Sequence, residues 1–267
     1  MQKRMSAALL ALCVCGVCVG FTSCEKTSGK YMRYDNAERY TAGNAEILDG
    51  SVSAIQIEWL GGDIEIEQSA DGVLRAAEDG DGLSEKARMQ YLTEKGVLKI
   101  KYCRSGYCGE VSEGSKHLRL EIPRGIDLDI ESTSAELTVG VAELNEISFE
   151  SRSGNISAEK ILCRDLDIQT QSGKILIGEL SASEMELKSA DGDIRVGLSA
   201  AMQGEIESKS GNVTLQLRGV GLQAHFCTAS GELITALPYE KRGGGFVFGK
   251  GENALEIKTK SGNLHVE

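Results

Sequence analysis

Four kinds of residue in this sequence have chemistry to offer: cysteines, histidines, a glycine-rich segment ending in lysine, and evenly spaced carboxylates. Gly244 to Lys250 fits G-x-x-x-x-G-K, the opening of a phosphate-binding loop, but Gly251 stands where the magnesium-binding hydroxyl belongs. Leu255-Glu256-Ile257-Lys258 then reads as a strand where phosphate binding requires a helix N-terminus, so a hairpin is expected instead. His117, His225 and His265 are scattered, without H-x-x-x-H spacing, and are expected at the surface. Asp79-Gly80-Asp81-Gly82 starts like a calcium loop, lacks its later ligands and reads as a solvated turn. There is no G-x-S-x-G elbow, and the serines fall at regular turn positions. The carboxylates keep a rhythm: Asp129, Asp167, Glu186 and Glu205 are separated by 38, 19 and 19 residues. A neighbouring column runs Glu131, Glu150, Gln169, Lys188, Glu207.

Composition narrows the possibilities further. Forty acidic residues against 29 basic ones give a net charge of −11 over 267 residues. That balance argues against a nucleic-acid partner held through its phosphates, and against a basic patch for anionic lipid headgroups. Lys3 and Arg4 precede an uncharged apolar run from Ala7 to Gly20, too short to span a bilayer and suited to a secretory signal core. Phe21-Thr22-Ser23-Cys24 resembles a bacterial lipobox, with Phe in place of the usual Leu, so Cys24 is expected to carry lipid as the mature N-terminus. Residues 1–23 are then a signal peptide and 24–40 a charged tether. Cleavage removes two bases and no acids, and the mature charge becomes 27 − 40 = −13. Cys13, Cys15 and Cys18 leave with the signal. Cys103 and Cys108 flank a turn and are either a local disulfide in an oxidising compartment or unpaired structural cysteines. Cys163 and Cys227 show no partner, and no set of ligands converges on a metal.

The elements that must position these residues come from a repeat. Ser134-Ala135-Glu136-Leu137, Ser153-Gly154-Asn155-Ile156 and Ser172-Gly173-Lys174-Ile175 recur every 19 residues, as do the tetrads around Gly192 and Gly211. The glycine then steps by 20 to Gly231 and by 31 to Gly262. Nineteen residues are too few for a pair of helices and fit one turn of a β-solenoid. Before each tetrad runs a period-two apolar pair, such as Ile147 and Phe149 or Leu166 and Ile168. A hydroxyl follows two positions on, at Ser132, Ser151, Thr170, Ser189, Ser208, Thr228 and Thr259. After the tetrad a second alternating strand begins. The glycine is expected at a corner that needs either positive φ or close approach to the next turn.

Residues 41–126 form an N-terminal β-rich part. Within it Ile55, Ile57, Trp59 and Gly62 match the repeat shifted by 73 positions, which predicts a degenerate first turn followed by an insertion. The insertion is expected to hold a short helix near 84–91 and strands at 97–102 and 118–122, and to cap the stack's open edge. Residues 127–267 are the solenoid repeats, with a second insertion from Pro238 to Asn253 capping the far end. The Tyr40 to Glu46 opening, the Ile57-Glu58-Trp59 strand, the Leu120-Glu121-Ile122-Pro123-Arg124-Gly125 element and the Ser-Gly-Asn/Asp-Ile turns resemble the DUF4097 family of bacterial envelope proteins. The resemblance covers about Tyr40 to Glu267 and implies an all-β, single-stranded right-handed β-solenoid with adhesin-like character. It supplies no catalytic residues.

The expected function is a non-catalytic, lipid-anchored envelope module for surface binding. The alternative is an accessory protein of an envelope-stress system. A polysaccharide-active enzyme would need clustered carboxylates in a groove with aromatic platforms, and only 5% of the residues are aromatic. No cofactor is expected. The partners are the membrane through Cys24 and an unidentified envelope protein or glycan. Asp129, Asp167, Glu186 and Glu205 are the candidate binding face, read either as a solvated surface or as a dock for divalent cations or a basic partner.

Overall fold

Alternation of apolar and polar residues makes each repeat two strands, one on each side of the serine–glycine turn. The computed structural model describes residues 32–47, 50–80, 82–107, 116–200 and 202–267; the signal segment, Cys24 and Cys108 lie outside them. Each coil gives one strand to a 13-stranded sheet and the next to an 11-stranded sheet. Between coils the strands are parallel and in register, with Ile147 beside Leu166 and Leu166 beside Met185. The inward residues, among them Phe149, Ile168, Leu187, Ile177 and Val196, are almost wholly buried between the two sheets. The fold is an all-β solenoid.

The corner chemistry is specific. At Gly154, Gly173, Gly192 and Gly211 the backbone avoids positive φ, but an added Cβ would overlap the carbonyl oxygen of the residue one coil below. Of the two expected reasons for glycine, close approach is therefore the operative one. The preceding hydroxyl accepts the glycine N–H: Ser151 from Gly154 at 3.1 Å, Thr170 from Gly173 at 3.0 Å, Ser189 from Gly192 at 2.9 Å. The residue after the glycine ties coil to coil, since the Asn155, Asp193 and Asn212 side-chain oxygens accept the backbone N–H of Lys174, Asn212 and Asn263. This explains the recurring Asn or Asp at that position.

Spatial order departs from chain order at both ends of the stack. The coils run 97–122, 54–68, 127–143, 146–162, 165–181, 184–198, 203–217, 253–266, 222–235. The coil expected to be the first turn is thus the second: Ala54–Trp59 pairs with both Asp127–Ser132 and Val97–Lys101. At the other end Asn253–Thr259 slots between Gln203–Ser208 and Leu222–Thr228. Each inserted coil carries an amide that grips both neighbours. Gln68 donates to Ile122 O and accepts from Glu143 N, each at 2.7 Å. The fully buried Asn253 donates to Gly221 O at 2.7 Å and accepts from Met202 N at 2.9 Å.

The ends are finished by antiparallel strands. Leu74–Asp79 pairs against His117–Ile122, and Gln90–Glu94 against Val97–Lys101. Residues 85–88 form a turn and a bend, and a strand starts at Gln90, in place of the expected helix. Tyr239–Arg242 and Gly245–Phe248 form the expected hairpin, which pairs with Leu222–Ala224 at the far end. Part of the segment expected as a tether, residues 32–40, is structured. From Met32 the chain is docked on the body: Gly106 N donates to Met32 O at 2.7 Å, and the Tyr34 hydroxyl to Cys103 O at 3.1 Å. Met32 is buried, and burial is the main cause that pushes the Tyr34 phenol up to about 12. These two apolar side chains are what a solvated tether would not carry.

Candidate binding face

Parallel in-register pairing converts the sequence rhythm into a surface. On the outer side of the larger sheet Asp129 stands beside Ser148, Ser148 beside Asp167, Asp167 beside Glu186, Glu186 beside Glu205 and Glu205 beside Glu256. The adjacent column is Glu58, Glu131, Glu150, Gln169, Lys188, Glu207 and Lys258. The four expected carboxylates therefore share one face. Strands lie about 4.8 Å apart, and like charges at that spacing repel by roughly 1 kcal/mol per pair even in water. The matching column on the smaller sheet, Glu65, Thr138, Ser157, Leu176, Arg195, Thr214 and His265, carries one acid, Glu65, which pairs with Arg119 at 2.9 Å.

Lysines relieve part of this repulsion. Lys188 pairs with Glu186, and Lys101 with Glu58. Lys258 reaches Glu205 at 2.8 Å and Glu256 at 3.2 Å. Among the described residues Asp129, Glu131, Glu150, Asp167 and Glu207 have no salt bridge, and three of these five cluster on the neighbouring strands Asp127–Ser132 and Glu146–Ser151. Partial burial, then the neighbouring carboxylates, holds Glu131 above the usual carboxylate range. Burial likewise raises Asp129, partly offset by a hydrogen bond with Ser148 and reinforced by Glu150 and Glu58. Asp167 is raised by burial, against the hydrogen bond from Gln169. A shallow groove of about 290 Å³ adjoins the face, lined by Glu150, Gln169, Lys188, Glu207 and the turn residues beside them.

Of the cysteines singled out by sequence, Cys103 is buried, and Cys108, with which a disulfide is one of the two alternatives, lies outside the described residues, as does Cys24. Cys163 is half-buried, and burial pushes its thiol up to about 12. Two groupings escaped sequence reasoning. Lys116, fully buried, donates to Ala87 O at 2.8 Å and pairs with Glu78 at 2.5 Å, its ammonium 4.0 Å from the Tyr102 ring centre and 4.9 Å from that of Trp59. Burial lowers its pKa, against the opposing pull of Glu78. The expectation that no ligands converge is also corrected: His225, Cys227 and Glu256 come together. Glu256 is 31 residues from His225 and reaches it only because of the inserted coil, so no local spacing signals the group.

A family model described as Toastrack DUF4097 matches residues 52–267. No curated protein matches the sequence. Similar solved structures include a candidate adhesin from Bacteroides fragilis, 15% identical over 84% of this chain and 96% of that one, with a TM-score of 0.48. A candidate lipid-binding protein from Parabacteroides distasonis is 17% identical over 84% and 96%, with a TM-score of 0.42. A candidate cell adhesion protein from Clostridium sporogenes is 13% identical over 85% and 98%, with a TM-score of 0.35. The family match takes in the whole coil stack described above, from the strand at Ala54 to the last coil, and by it the chain belongs to the Toastrack DUF4097 family.

Proposed function

We propose that this protein is a non-catalytic binding module of the bacterial cell envelope, held at the membrane by lipid on Cys24, whose larger sheet docks a basic segment of an envelope partner. The observation that carries the reading is the run of in-register carboxylates on the larger sheet. Carboxylates repeat in both outer columns of the larger sheet, while the smaller sheet's column from Thr138 to Thr214 has none, and five of them, Asp129, Glu131, Glu150, Asp167 and Glu207, have no salt bridge among the described residues. A rigid parallel stack holds these groups at fixed spacing, so a Lys- or Arg-rich segment can meet several at once without ordering the surface first. Electrostatic capture of this kind falls steeply with salt.

An oligolysine peptide labelled for fluorescence anisotropy tests the face. Binding should weaken as salt rises, and Asp129→Asn, Glu131→Gln, Glu150→Gln together should weaken it at least tenfold at low salt. Equal binding by that variant, correctly folded, would leave the acids as a solvated surface and nothing more. The anchor is tested separately by Cys24→Ala, which should move the protein from the membrane fraction to the soluble one. Retention at the membrane after signal cleavage would refute lipid attachment.

A further inference from the structure

The outer face ends in different chemistry. His225 lies directly across from Glu256 on the parallel pair Leu222–Thr228 and Asn253–Thr259, and Cys227 lies across from Lys258. His225, Cys227 and Glu256 are all exposed, and one ligand atom from each lies within 4.8 Å of the others. Cys227 Sγ and His225 Nδ1 are 3.6 Å apart. A tetrahedral zinc ion about 2.3 Å from sulfur and about 2.0–2.1 Å from nitrogen would set those atoms about 3.5 Å apart. The pair is thus already spaced for a shared ion, and a Glu256 carboxylate oxygen lies within 4.8 Å of both. Imidazole, thiolate and carboxylate together favour a borderline-soft divalent cation, and three ligands leave a fourth position for water. The hairpin's pairing on this strand stops at Ala224, one residue before His225. Lys258 competes for Glu256 but also holds Glu205, so it keeps a partner if Glu256 turns to a metal.

We propose that His225, Cys227 and Glu256 form a binding site for a divalent cation of the zinc type, which cross-links the outermost coil to the inserted one. The full chain, with reduced thiols, is titrated with Zn²⁺ while its melting temperature is followed, and with Co²⁺ while the thiolate-to-cobalt charge-transfer band is followed. Zn²⁺ should raise the melting temperature. Cys227→Ser should remove one equivalent of bound cobalt with its share of the band. His225→Gln and Glu256→Gln should each weaken that equivalent at least tenfold, and Lys258→Gln should tighten it several-fold by freeing Glu256. Unchanged cobalt stoichiometry in Cys227→Ser overturns the site. So does a site lost in Cys227→Ser but untouched by His225→Gln and Glu256→Gln, since the thiol would then be acting alone.

Discussion

A single buried amide decides how one end of the stack is built. Asn253 satisfies a backbone N–H of one neighbouring coil and a backbone carbonyl of the other; Asn253→Ala leaves Met202 N unpaired, while Gly221 O keeps the backbone N–H of residue 253 at 3.2 Å. At roughly 1–3 kcal/mol for a buried group left unsatisfied, urea unfolding should show a clear drop in midpoint. Phe149→Asp strikes the core instead. It places an unpaired charge where the side chain is 1% exposed, at a cost of several kcal/mol, and an unchanged melting temperature would contradict the inward phase of that strand. The two residues differ in how readable they are. Phe149 announces its burial through alternation with Ile147. Asn253 sits at the head of a strand, where asparagine reads as turn, and its two partners are 51 and 32 residues away. Lys116 and Glu78 were hidden for the same reason: a charge pair that folding buries looks, in sequence, like two surface residues.

At the level of the strand and turn, the repeat was legible because each corner imposes a residue type. Close approach demands glycine, its N–H demands a hydroxyl three residues earlier, and the next coil's N–H demands a side-chain oxygen. The acidic column followed from the same register. Its charge balance did not, because Lys101 and Lys258 stand on coils whose places in the stack no spacing predicts. The balance has a consequence for pH. Asp129, Glu131 and Asp167 titrate above their ordinary range when folded, so across that window the native state binds more protons than the unfolded chain. Stability should therefore fall as pH rises through the window just above about 4, and rise on acidification from neutral pH. At lower pH the trend reverses, because Asp71, Glu94 and Glu179 are held below their ordinary range by hydrogen bonds from Arg75, Arg39 and Lys160, and protonation breaks those pairs. Melting temperature measured against pH should show this maximum. Asp129→Asn, Glu131→Gln, Asp167→Asn together should flatten its alkaline side, and an unaltered profile would show that the face carries no such penalty.

For the molecule as a whole, the order of coils is the feature that sequence could not convey. The strands Gln203–Ser208, Leu222–Thr228 and Asn253–Thr259 share one pattern, an alternating inner face followed by a hydroxyl, so any of them can lie beside any other. What separates them is the amide of Asn253 and the hairpin that occupies the outer edge. Synthesis adds a clock to this choice. A growing chain completes residues 222–235 before residues 253–266 exist, and during that interval the flank of Gln203–Ser208 is open to the wrong neighbour. Any premature pairing there would have to come apart before the later coil could enter. Refolding from urea should accordingly show a slow phase that prolyl isomerase leaves unchanged, and a single fast phase would argue against such a detour. A helper that holds residues 222–235 back until the inserting segment arrives would speed maturation without touching a single contact of the finished protein.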